Sequence, residues 1–187
     1  RQPRAENMNW QQLKKIAAFY GRFTLSFTQI GYRARRLTWP SLQPDFAGQH
    51  WLVTGASGGL GLYIAQEAAR HGAQVTLAAR NAQKLAQAIA ESKALGIERL
   101  DTVVCDFSLQ SDTARLVREL ASANKKIDVL VNNVGVLNDN HSLTREGRES
   151  SFTINFLSHY LLTEGLLRRG VFSGNHPLVI NMTSGGG

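Results

Sequence analysis

At 187 residues, with 43% hydrophobic and 19% charged side chains, the chain can bury one real core but is too short for two ordinary domains, and disorder is not its default. Its single cysteine, Cys105, excludes an internal disulfide framework and favours a reducing, intracellular compartment, cytoplasmic or mitochondrial. The formal charge of +7 is local: residues 1–48 carry eight basic and two acidic side chains, the remaining 139 carry 13 and 12, so the excess is a basic arm rather than a basic binding face.

In the arm, Trp10, Leu13, Ala17, Tyr20, Phe23, Phe27 and Ile30 recur three or four apart, with Lys14, Lys15 and Arg22 elsewhere on the wheel. That spacing predicts an amphipathic helix, weakened at Gly21 and by the strand-like Phe23-Thr-Leu-Ser-Phe27. No run approaches the roughly 20 apolar residues that cross a bilayer, so a transmembrane anchor is not expected. An interfacial helix on an anionic membrane, a helix packed on its own domain, a protein-docking arm and a remnant of a mitochondrial targeting segment all fit a stretch rich in arginine and poor in acids. The first residue is arginine, as in a processed or trimmed chain. Nucleic acid is not expected, because the aromatics fall on one helical face instead of interleaving as stacking platforms. Trp39-Pro40 to Pro44 is a polar, proline-punctuated connection that places the domain boundary near Gly48, giving an arm over 1–48 and a domain over 49–187.

The next stretch, His50 to Leu62, organises the rest. An apolar run (Trp51, Leu52, Val53) stops at Thr54-Gly55, small residues follow, and Leu60 to Ala69 has helical spacing. A buried strand, a glycine turn and a helix start present backbone N–H groups and a positive helix end to a phosphate. Each missing Cβ at glycines 55, 59 and 61 allows a positive φ or a close approach of backbone to ligand. The spacing is not the G-x-G-x-x-G fingerprint, although it asks for the same geometry. Thr54-Gly-Ala-Ser-Gly-Gly-Leu-Gly61 instead resembles the T-G-x-x-x-G-x-G motif of the short-chain dehydrogenase/reductases. The resemblance makes Thr54, Gly55, Ser57, Gly59, Leu60 and Gly61 candidate cofactor contacts.

Beyond it, strand-like runs at 51–54, 74–79, 101–105, 127–131 and 178–182 alternate with helical spacing near 60–71, 81–94, 111–123 and 150–168. Strand and helix in series predict an α/β, doubly wound parallel sheet of Rossmann type, with ligands beyond the carboxyl ends of the strands. The second strand ends Ala79-Arg80-Asn81. An arginine there, with no acid, predicts NADP over NAD, because it meets a 2′-phosphate where a carboxylate would hold the 2′-OH. The third strand ends Cys105-Asp106-Phe107. Asp106 resembles the family's aspartate beside the adenine ring, with Phe107 next to it; it could equally cap the following helix, with Ser108 or Ser111 sharing that duty.

The fourth strand ends Asn132-Asn133-Val134-Gly135, similar to the family's N-N-A-G motif. In the family the asparagines tie the central strands, and the glycine, here Gly135, admits the cofactor's ribose. The helix from Glu149 to Glu164 is similar to the one that carries the family's asparagine. Asn155 matches it, implying a distorted helix and a bound relay water; an Asn inside an apolar helix is otherwise unfavourable. Tyr160 has Glu164 rather than lysine four residues on, so Tyr160 and His159 read as packing residues. Leu178-Val-Ile-Asn-Met-Thr-Ser184 resembles the I-V-N-x-S-S strand, which gives Ser184 the catalytic serine's role of orienting a substrate carbonyl. No metal is called for.

The resemblance covers about residues 49–187 and five of the family's seven strands. Its acid, a tyrosine in Y-x-x-x-K with the lysine lowering the tyrosine's pKa, occurs nowhere in the 187 residues. The motifs lie on the retinol-dehydrogenase-like side of the family, and the basic extension suggests the branch called dehydrogenase/reductase member 12. The expected function is the cofactor-binding part of an NADP-dependent oxidoreductase that moves hydride between nicotinamide and a carbonyl or alcohol, either as a homo-oligomer or alone. The alternative is a catalytically degenerate scaffold or assembly subunit. A fifth strand at the sheet edge would be an aggregation hazard unless something pairs with it.

Overall fold

The computed structural model describes residues 10–40, 42–174 and 176–183. It divides into two compact units, residues 1–43 and 44–187. The division falls a few residues before Gly48, because Phe46 already belongs to the sheet unit: its ring lies 4.9 Å from that of Trp51 and its N–H donates to the His71 carbonyl at 2.8 Å.

The first unit holds two helices, α1 (Trp10–Phe27) and α2 (Gln29–Arg36). Helix α1 runs through Gly21 and the strand-like stretch at 23–27 without interruption. The break comes at Thr28, which is extended (φ −109°) and whose hydroxyl accepts from Gly31 N–H at 3.3 Å, starting α2 as an N-cap.

The second unit contains, in order, β1 (His50–Thr54), α3 (Gly59–Arg70), β2 (Gln74–Ala79), α4 (Ala82–Ala94), β3 (Leu100–Val104), α5 (Gln110–Ser122), β4 (Val129–Asn132), α6 (Ser150–Phe152), a π-helical turn (Thr153–Leu157), α7 (Ser158–Arg168) and β5 (Leu178–Asn181). The strands form one all-parallel sheet in the order β3-β2-β1-β4-β5. The alternating pattern is thus borne out as a doubly wound sheet, with strand ends displaced by a residue or two. Ile127 stands just before β4, in an isolated bridge to Phe172.

Strand periodicity assigns the two layers. Trp51, Val53, Val75, Leu77, Val129 and Val131 point to one face, where Ala65, Ala68 and Ala69 of α3 and Leu85 of α4 cover them. Leu52, Ala78 and Leu130 point to the other, against Leu116 and Val117 of α5 and Leu162 and Leu166 of α7. Small alanines let α3 lie close on the sheet, and Gly165 of α7 does the same toward Val117, whose methyls would lie 3.0 Å from an added Cβ. The order reverses at β1, since α3 leaves on one face and the helices after β4 pack on the other. This is the switch point at which a crevice opens beyond the strand ends.

Candidate functional site

The crevice is there. A cleft of about 250 Å³ at the carboxyl ends of β1, β2, β3 and β4 is lined by Gly55 and Ser57, by Arg80 and Lys84, by Asp106 and Phe107, and by Val134 and Gly135. A second cleft shares Ser57 and Lys84 with it and continues past Gly58 and Gly59 to the groove between α3 and α4.

Helix α3 begins at Gly59 with Gly58 as N-cap and no side-chain cap. Among the described residues, the N–H groups of Gly59, Leu60 and Gly61 have no acceptor. Gly59 has φ +57° and open space where a Cβ would stand, and Leu60 is exposed. A helix start with free donors and a positive dipole end is an anion site in waiting. The other two glycines answer to the chain itself. Gly55 has φ +65°, and its Cβ would lie 2.8 Å from Val134 Cα; at Gly61 a Cβ would collide with Asn133 Nδ2 and come within 2.8 Å of the Gly55 carbonyl. They let the loop after β1 nest on the loop after β4.

That nesting is wired by Thr54 and Asn133. The Thr54 hydroxyl donates to the Val131 carbonyl (3.3 Å) and accepts from the N–H groups of Asn133 (2.9 Å) and Val134 (3.0 Å), while Asn133 Nδ2 donates to the Thr54 and Gly55 carbonyls. Asn132, fully buried, donates to Thr163 Oγ1 (3.1 Å) and Asn181 Oδ1 (2.9 Å), tying β4 to α7 and β5. Thr54 and Asn132 therefore hold the frame from inside. Gly135 differs: its φ is not positive and a Cβ there would meet Asn155 Oδ1 at 3.6 Å and the Asn133 carbonyl at 4.0 Å, both ordinary contact distances, so among the described residues nothing demands glycine.

Arg80 projects from the bend after β2 and, among the described residues, its guanidinium has no partner. Asn81 N-caps α4 by accepting from Lys84 N–H at 2.8 Å, which sets Lys84 in the first turn, beside Arg80 on the cleft wall. Sequence reasoning missed Lys84; the signal was the Asn81 cap, which fixes where the fourth residue after Arg80 must stand.

Asp106 accepts from Ser108 N–H (3.0 Å) and hydroxyl (2.7 Å) through Oδ1, closing an Asx turn, and its Oδ2 has a 3.6 Å contact with Arg145. It does not cap α5, and neither Ser108 nor Ser111 does. The residue before that helix is Leu109, and the N–H groups of Gln110 and Ser111 donate instead to Glu146, from a loop 35 residues on, at 2.7 and 3.1 Å. The Ser111 hydroxyl, with those two N–H groups, holds the Glu146 carboxyl below the usual range. Nothing local in the sequence announces this cap. Phe107 is buried under the cleft floor, and beside it burial and the neighbouring Asp112 push the Cys105 thiol up to about 12.

Asn155 sits in the π-helical turn, where the helix widens by a residue. Its Oδ1 accepts from Val136 N–H and its Nδ2 donates to the Val136 carbonyl, both at 2.8 Å, so the side chain clasps the strand-like chain after Gly135. His159, one turn on, donates from Nε2 to the Val134 carbonyl at 2.9 Å; burial lowers its pKa and keeps it neutral. Tyr160, read as a packing residue, is instead 54% exposed. Ser184 lies outside the described residues.

The short chain dehydrogenase family profile matches residues 49–187. The chain is a short-chain dehydrogenase/reductase. Both branches expected from the motifs and the basic extension occur among its relatives: it is similar to retinol dehydrogenase 12 of Mus musculus, 34% identical over 159 residues (77% of this chain, 48% of that one), and to dehydrogenase/reductase SDR family member 12 of Bos taurus, 29% identical over 178 residues (93% and 55%). A metagenomic short-chain oxidoreductase solved in complex with NADP superposes with a TM-score of 0.58 and 31% identity over 67% of this chain and 58% of that one. The chain spans about half the length of the relatives it matches. No described helix is long and apolar enough to cross a membrane.

Proposed function

We propose that residues 49–187 form the NADP-binding part of an oxidoreductase acting on a carbonyl or alcohol. The observation that carries this is the convergence of a helix start without a side-chain cap with two cations that have no ion-pair partner among the described residues, Arg80 and Lys84, around adjoining clefts at the switch point. A dinucleotide with an extra phosphate is the ligand such a set fits: the pyrophosphate for the N–H groups after Gly58, a 2′-phosphate for Arg80 and Lys84, an adenine amino group for Asp106 Oδ2, and a ribose edge where Gly135 carries no Cβ. When bound, the nicotinamide supplies or accepts a hydride. The chain's own part is to orient. Ser184 would donate to the substrate oxygen, and Asn155, whose amide retains one hydrogen and one lone pair beyond its Val136 clasp, would hold a water.

Titration of the 187-residue chain with NADPH and with NADH, followed by nicotinamide fluorescence, tests the reading. NADPH is expected to bind more tightly. Arg80→Ala should weaken NADPH about ten- to a hundredfold, the range of a charge-assisted hydrogen bond, and leave NADH unchanged. An unchanged NADPH constant in that variant would refute the assignment.

A further inference from the structure

We infer that the N-terminal unit is an in-plane docking surface for an anionic phospholipid bilayer. Between Glu6 and Asp45 the sequence holds no carboxylate and six basic residues. Over the same stretch, of the residues whose burial is described between 10 and 43, Gly31 alone is buried. Trp10 is 69% exposed, Ile16 43%, Ile30 71% and Trp39 53%, whereas in the sheet unit Trp51 is 9% exposed. Exposed indole and aliphatic side chains on an amphipathic helix contribute little of the packing that stabilises most protein helices.

The chemistry selects the occupant. A second copy would bring the same net-basic stretch against this one, which is repulsive. A bilayer accepts both features at once: indole and aliphatic side chains enter the headgroup boundary while lysine and arginine stay with anionic headgroups. The disposition suits that. Lys14 reaches over the Trp10 ring at 5.9 Å, and Arg33 and Arg36 end α2 on the turns that carry the exposed Tyr32, whose ring meets Trp39 edge-on at 5.6 Å. Arginines in the last turn also complement the helix dipole, so the polar rim does not disturb the helix. This inference does not rest on the dinucleotide reading, since it uses no residue of the sheet unit.

Co-sedimentation of the full chain with vesicles of phosphatidylcholine alone, and of phosphatidylcholine with 30% phosphatidylserine, tests it with tryptophan fluorescence as a second readout. Binding to the anionic vesicles at least about tenfold tighter than to neutral ones is expected, falling with salt. A blue shift should accompany it, from Trp10 and Trp39, and should vanish in W10F/W39F, which keeps only the buried Trp51. The variant K14E/K15E/R33E/R36E should lose about tenfold or more in vesicle affinity while its far-UV circular dichroism and NADPH titration stay as in the parent, showing that the sheet unit is folded. Equal binding to both vesicles, sedimentation without a blue shift, or no sedimentation would each overturn the inference. A concentration-dependent rise in mass without vesicle binding would give the surface to a second copy and overturn it as well.

Discussion

Gly55 meets two demands at once: its φ of +65° disfavours any side chain, and its missing Cβ leaves 2.8 Å to the Val134 backbone. Neither can relax by moving a flexible group. Gly55→Ala is therefore expected to destabilise the sheet unit by at least about 2 kcal/mol, read as a lower urea midpoint at unchanged slope. Cys105 is the opposite kind of residue, small, apolar and sealed. With its thiol at about 12, held up by burial, labelling by a disulfide reagent at pH 8 should be more than about a thousandfold slower than for a free thiol, and should recover its rate in denaturant. Rapid labelling of the folded chain would show that the floor of the cleft opens. Arg80 and Lys84 were legible to unequal degrees. The arginine ends a strand and stands out by position, whereas the lysine owes its place to a cap.

At the scale of elements, the loop between β4 and α6 is fixed from both sides. The Asn155 clasp holds its start at Val136, and Glu146 holds its end against the first turn of α5. The Glu146 carboxyl is depressed in the folded chain, so its contribution is present above the unfolded value near 4.5 and is lost as pH falls through the lower folded value. Glu146→Ala should lower stability by up to about 1 kcal/mol at pH 7, an amount limited by solvent screening at this exposed site, and the gap to the parent should close on acidification. A gap independent of pH would mean that Glu146 acts by packing. The π-helical turn was anticipated only as a distortion around Asn155. Its actual form follows from the need to bring that amide into register with both polar groups of Val136, a contact that local periodicity cannot encode.

For the whole molecule, cofactor binding and turnover should separate. NADPH at about 100 times its dissociation constant should add roughly 2.7 kcal/mol to the sheet unit's stability, and NADH at the same concentration, binding more weakly, should raise the melting temperature less. Turnover of carbonyl substrates by these 187 residues should be undetectable, because no tyrosine stands four residues before a lysine. Measurable turnover would require a different acid, for which the exposed Tyr160 beside Asn155 is the first residue to replace.

The sequence by itself determined the alternation of strands and helices, hence a doubly wound parallel sheet, and it placed Thr54 to Gly61, Arg80, Asp106 and Asn132 to Gly135 at strand ends. These are short-range properties: hydrophobic period, glycine spacing and the residue that closes each strand. The tertiary structure alone decided which of those residues line the cleft. Thr54 and Asn132 turned inward because the nested loops after β1 and β4 need internal donors and acceptors, and Gly61 is glycine because Asn133 occupies the space beside it. It also brought Glu146 to α5, a pairing set by how the chain crosses the sheet and therefore absent from any local window.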